Sequence, residues 1–116
     1  MSRICIQGAL AEYRLGGETV ATYVILMNFT EQGVKAIKES PARVKAMYKA
    51  VEAVGGRILS IYATMGQYDL VAIAEGPNDE ATLLQLLGLG MAGNVRTTTL
   101  KAFSMEEFAA VLQKLP

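Results

Sequence analysis

Tyr62-Ala-Thr-Met-Gly66-Gln67-Tyr68-Asp69-Leu-Val-Ala-Ile-Ala-Glu75 decides how this chain folds. Apolar, β-branched and aromatic residues stand on both sides of Met65-Gly66-Gln67, which is the pattern of two strands joined by a turn. The strands are expected over about 57–64 and 68–75, with Tyr68-Asp69 opening the second. A helix is predicted on each side of this hairpin. Upstream, Ser40-Pro41 marks a helix start, because proline is pre-set for the first turn and serine can accept an orphan N–H. Val44, Met47, Tyr48, Val51 and Val54 then fall on one stripe, and Gly55-Gly56 closes the helix. Downstream, Asn78 caps a helix with Asp79 and Glu80 near its positive end, and Leu83, Leu84, Leu86, Leu87 and Met91 make a wide apolar face.

Further out, Ala21–Thr30 is a strand rich in Tyr, Val, Ile and Phe, and Thr30 is placed to cap a short turn. A last strand is expected over about 94–103. Ser104-Met-Glu-Glu107 is a capping box ahead of a helix with Phe108, Val111, Leu112 and Leu115. The order β-α-β-β-α-β-α contains two βαβ halves. It predicts an α+β, ferredoxin-like βαββαβ sandwich with an extra C-terminal helix and spatial strand order 4-1-3-2. Residues 1–20 read as an N-terminal extension to a domain over 21–116. Ile4-Cys5-Ile6 has the character of a small strand there, and Gly8, Gly16 and Gly17 interrupt it.

Composition narrows the function classes. The chain has 116 residues, 52% hydrophobic and 19% charged, with eleven cations against eleven anions. A balanced charge without a basic cluster gives no electrostatic footprint for nucleic acid or an anionic membrane. Apolar runs fall far short of the roughly 18 residues of a membrane span. The single cysteine and the lack of a signal-peptide pattern point to the cytoplasm. Histidine is absent, so the commonest general base, metal ligand and haem ligand are missing. Neither metal nor cofactor is expected. Cys5 has no histidine partner and is not expected to be a nucleophile. Gly88-Leu-Gly90-Met-Ala-Gly93 matches G-x-G-x-x-G, but it closes a leucine-rich helix instead of opening one, so it reads as a helix end plus turn.

One pattern argues for assembly. A sheet covered on one face should alternate apolar with polar residues. In the first strand Tyr23, Ile25, Met27 and Phe29 point one way, yet Val24 and Leu26 point the other. In the third, Leu70, Ala72 and Ala74 oppose Val71 and Ile73. Two such sheets packed face to face would make a dimeric α/β barrel, so a homodimer or higher oligomer is expected. The alternative is that the C-terminal helix or the N-terminal arm folds over that face.

Ala21–Thr30, the Ser40-Pro41 helix, Thr64-Met-Gly-Gln-Tyr-Asp69 and Asn94-Val-Arg-Thr-Thr-Thr99 resemble the GYD domain family, with Gln67 standing between the glycine and the tyrosine. The resemblance covers about 21–115. It implies a ferredoxin-like, dimeric α/β barrel type of domain without an assigned biochemical function. The hairpin and the Val-x-Thr-x-Thr strand are also similar to the effector-binding domain of Lrp/AsnC regulators. Those carry a helix-turn-helix ahead of it, for which the residues before Ala21 are too few, so DNA binding is not implied.

In that topology the end of the first strand, the hairpin and the start of the fourth strand meet at one edge. Asn28, Thr30, Tyr62, Thr64, Tyr68, Asp69, Asn94 and Arg96 gather there. One reading is a small-molecule pocket closed by a second copy, with Asn28, Tyr62 and Thr64 lining it, Tyr68 stacking, Asp69 holding a cation or hydroxyl, and Arg96 holding an anion. The other is structural: Asp69 and the threonines satisfy turn backbone, and Arg96 joins a strand-edge ion pair. Two functions follow. The first is a small-ligand-binding or regulatory oligomeric module without chemistry of its own. The second is a cofactor-independent oxygenase or isomerase acting on an apolar molecule with Asp69 and Tyr68 as acid and base.

Overall fold

The computed structural model describes residues 14, 15 and 18–116. The expected strand at Ile4-Cys5-Ile6 lies outside the described residues. Two short strands, β1 (Arg14–Leu15) and β2 (Glu18–Thr19), pair with each other. The main sheet follows: β3 (Ala21–Phe29), β4 (Arg57–Ala63), β5 (Leu70–Gly76) and β6 (Val95–Ala102). Its order is β4-β5-β3-β6, with every pairing antiparallel. Read from β6, that is the expected 4-1-3-2 order of the ferredoxin-like fold. The sheet is open and does not close into a barrel within one chain.

Between the strands lie α1 (Glu31–Lys35), a single 3₁₀ turn (Ile37–Glu39), α2 (Ser40–Ala53) and α3 (Asp79–Ala92), and α4 (Met105–Leu112) ends the chain. Local capping chemistry sets three of the helix starts. Thr30 accepts from Gly33 N, Asn78 Oδ1 accepts from Ala81 N at 2.8 Å, and Ser104 with Glu107 completes the capping box. Ser40 departs from expectation and is not a cap. The 3₁₀ turn runs straight into α2, so Ser40 N–H already donates to Ile37 O and Ser40 has helical backbone angles. Its hydroxyl instead accepts from Arg43 at 3.3 Å. The G-x-G-x-x-G run ends α3 as expected, with Gly93 left-handed at φ 82°.

α2 and α3 stand over the face carrying Tyr23, Ile25, Met27 and Phe29. The core centres on Met27, Ala72 and Val95, with Met47 of α2 and Leu89 of α3 packed against it. β4 reaches this face through a bulge. The register slips between Ile58 and Ser60, so Ile58 pairs with Ala74 and Ile61 with Ala72. Two isoleucines three apart thereby share one face, which a strict period of two forbids. Cross-strand partners place Val24, Leu26, Asn28, Val71, Ile73, Tyr62, Arg96, Thr98 and Leu100 together on the opposite face. α4 leaves its own Phe108, Val111 and Leu112 about half exposed, and Leu100 and Tyr62 remain exposed on the sheet.

Candidate functional site

The edge singled out in the sequence is assembled by backbone as much as by side chains. Asp69 N donates to Met27 O at 2.9 Å, and Asp69 O accepts from Thr64 N at 2.9 Å. The Asp69 carboxylate turns toward β3, where its Oδ2 accepts from Phe29 N at 2.9 Å. Thr64 Oγ1 donates to Tyr68 O at 2.6 Å. Thr64 and Asp69 thus close the hairpin and tie it to the central strand. Tyr68 is half-buried beside them.

A second knot lies at the same end. Thr30 Oγ1 donates to Gly93 O at 2.6 Å and accepts from Gly33 N at 3.1 Å. Asn94 O accepts from Thr30 N at 3.0 Å, and Asn94 Oδ1 accepts from Gln32 at 3.1 Å. These bonds press α1 against the start of β6. A Cβ on Gly33 would lie 2.0 Å from Asn94 O, so only glycine fits. Thr30 and Asn94 therefore serve the fold.

Three of the expected ligand residues make no such bond to the other described residues. Asn28 and Arg96 are direct cross-strand partners on the open face, and Tyr62, in the neighbouring row, is 63% exposed. Arg96 does not reach Asp69. The carboxylate is engaged by Phe29 on the central strand, and the four ion pairs among the described residues involve neither group.

At the far end of the sheet is a cluster that the sequence reading missed. Tyr23, 4% exposed, donates to Asp79 Oδ1 at 2.5 Å, and Lys101 Nζ lies 3.1 Å from the same carboxylate. Burial, then the bond to Asp79, raises the Tyr23 phenol above its ordinary value. The bond from Tyr23, then that from Lys101, lowers Asp79, and Asp79 raises Lys101. The available signal was the register: Lys101 is Tyr23's cross-strand partner. Nearby, buried Glu75 pairs with Arg57 at 3.4 Å.

The most extensive feature is apolar. α3 has no charged residue from Ala81 to Gly93. Leu83, Leu84, Leu87 and Met91 form a stripe on its outer side, with Leu84 62% and Met91 88% exposed. This stripe and the open sheet face lie on different sides of the domain, because α3 packs on the other face of the sheet.

A model of the GYD domain matches residues 23–112, from the first long strand to the end of α4. The chain belongs to the GYD domain family. In this GYD protein the signature residues Gly66, Tyr68 and Asp69 belong to the hairpin just described. It is 29% identical over 93 residues to the Thermus thermophilus "glutamine synthetase and cystathionine beta-lyase binding protein", covering 79% of this chain and 98% of the relative. A solved structure, that of TTHA0845 from Thermus thermophilus, aligns with a TM-score of 0.43 at 26% identity, over 72% of this chain and 94% of that one. No helix among the described residues is long and apolar enough to cross a membrane.

Proposed function

We propose that this GYD protein is a homo-oligomeric, regulatory binding module that docks on metabolic enzymes and has no catalytic chemistry of its own. The observation that carries this reading is the exposed stripe of Leu83, Leu84, Leu87 and Met91 on a helix without charge beyond its first turn. Scattered exposed leucines need no explanation, but a contiguous apolar stripe is the ordinary mark of a protein interface. The relative's name supports the class of partner, since that protein binds glutamine synthetase and cystathionine β-lyase.

Self-association would use the other surface. Val24, Leu26, Val71 and Ile73 give the open face an apolar centre. With nine residues in β3 and strands about 4.8 Å apart, the sheet presents on the order of 600 Å² of flat area. That approaches the ~800 Å² per partner of a standard interface. Two copies packed there would close a dimeric barrel. The small-effector pocket would form at its rim, from Asn28, Tyr62 and Arg96 on the open face beside the hairpin that Thr64 and Asp69 close.

Purified glutamine synthetase and cystathionine β-lyase from the same organism provide the test. Surface plasmon resonance is expected to show wild-type protein binding one or both enzymes. Leu87→Glu, at an exposed position, is expected to abolish that binding while oligomer mass and circular dichroism stay unchanged. Failure of the wild type to bind either enzyme, or full binding by Leu87→Glu, would refute the docking role.

A further inference from the structure

A cleft of about 310 Å³ opens between α2 and α3 above the sheet. Ile25 and Leu70, which are only partly buried, form part of its floor, and Met47, Val51 and Leu89 line its walls. No residue of α2 or α3 is fully buried, so both helices stand off the sheet around this space. An apolar cavity of about 150 Å³ already stays dry and takes benzene. Natural small-molecule pockets begin at about 300 Å³. The cleft is separate from the outer stripe of α3 and from the open sheet face. The inference therefore does not depend on the docking role.

Its polarity is lopsided. Ser40 and Arg43 on α2 and Asn94 before β6 line the end nearest the hairpin, and Gln85 is the one further polar side chain in the described lining. Arg43 is the single charged residue of that lining, which contains no carboxylate. Its guanidinium lies 3.3 Å from Ser40 Oγ and 3.9 Å from Glu39. The Glu39 side chain is three-quarters exposed and Arg43 only about one-quarter. So long and exposed an ion pair holds Arg43 weakly and leaves it open to a better anion. A carboxylate presented at about 2.7–2.9 Å would be such a partner.

We propose that the cleft binds a medium-chain monocarboxylic acid, with its carboxylate at Arg43 and Ser40 and its apolar chain over Ile25 and Leu70. At about 30 Å³ for each water-sized unit, the space suits a chain on the order of ten methylenes. The recognition is by chemistry and size: one anionic head, an uncharged body, and a length that ends near Val51.

Decanoate below its micellar concentration is the probe, decanol its neutral counterpart, and calorimetry on the full chain the measurement. Decanoate is expected to bind saturably, with decanol roughly tenfold weaker for want of a charge-assisted contact. Arg43→Gln is expected to erase that preference. Gly88 lines the cleft, and a Cβ there meets nothing within 4 Å. Gly88→Leu thus fills open space and removes a helix-interior glycine, which favours the helix. It is expected to melt no lower than wild type and to bind neither probe. The proposal is overturned if decanoate shows no saturable binding, if decanol binds the wild type as tightly, or if Gly88→Leu binds decanoate undiminished.

Discussion

Asp69 carries more structure than its place in a turn suggests. Its backbone holds both Met27 and Thr64, and its carboxylate holds Phe29 N–H. Replacing the carboxylate with an amide weakens a charge-assisted bond worth roughly 1.5–3 kcal/mol, and the group is half-buried, so the lower part of that range applies. Asp69→Asn is expected to lower the melting temperature by several degrees in calorimetry, whereas Tyr68→Phe leaves it near wild type. An Asp69→Asn protein that melts normally would remove the structural role. At the other end of the sheet, burial and then the bond to Asp79 hold the Tyr23 phenol above its ordinary value. A phenol whose folded value is raised contributes fully below its unfolded value of about 10, and that contribution is lost as pH rises through the folded value. Lys101, also raised, acts in the same direction. Asp79 acts oppositely. Its lowered value gives stability above the ordinary carboxylate range, lost as pH falls through the folded value. Denaturant unfolding is therefore expected to show wild-type stability falling above about pH 10, with a shallower fall in Tyr23→Phe. Equal slopes would show that Tyr23 does not titrate with folding.

At the scale of elements, the decisive joint is α1 against the start of β6. Thr30 Oγ1 caps α1 and bonds to Gly93 O at the end of α3, while its backbone N–H bonds to Asn94 O just before β6, so one residue ties the three elements together. The approach is close enough that a Cβ on Gly33 would meet a backbone oxygen at 2.0 Å. Backbone cannot yield as a flexible side chain does, and overpacking of this kind costs roughly 1–3 kcal/mol. Gly33→Ala is expected at the upper end of that range in a urea titration, while Gly88→Ala, with open space around it, is expected to be neutral or stabilising. If Gly33→Ala unfolds at the wild-type midpoint, α1 does not dock as described. The β4 bulge belongs here too, since it alone lets Ile58 and Ile61 face the helices together.

For the whole molecule, the two faces of the sheet pose different problems. One is covered by α2 and α3. The other shows Val24, Leu26, Val71 and Ile73 near its centre, and α4 keeps its own apolar residues exposed. Light scattering coupled to size exclusion at micromolar concentration is expected to give a dimer or a multiple of it. Val71→Glu is expected to give a monomer with unchanged circular dichroism, because burying an unpaired carboxylate between two sheets costs more than the contact returns. A wild-type monomer would remove the second copy from the effector pocket as well.

The order of residues determined by itself what depends on near neighbours. Runs rich in β-branched and aromatic residues, broken at turn residues, located the strands, Asn78 and Ser104 marked helix starts, and the two βαβ halves fixed the strand order, because short connections leave few ways to pair four strands. It also marked the second face of the sheet as apolar. Tertiary structure alone decided which groups bond across the chain. Asp69 finds Phe29 at a separation of 40 residues, Tyr23 finds Asp79 at 56, and Gln32 finds Asn94 at 62. Those pairs follow from register, from the bulge beside Leu59 and from the stand-off of two helices that leaves a cleft. Each depends on where distant elements come to rest, and no local propensity encodes that.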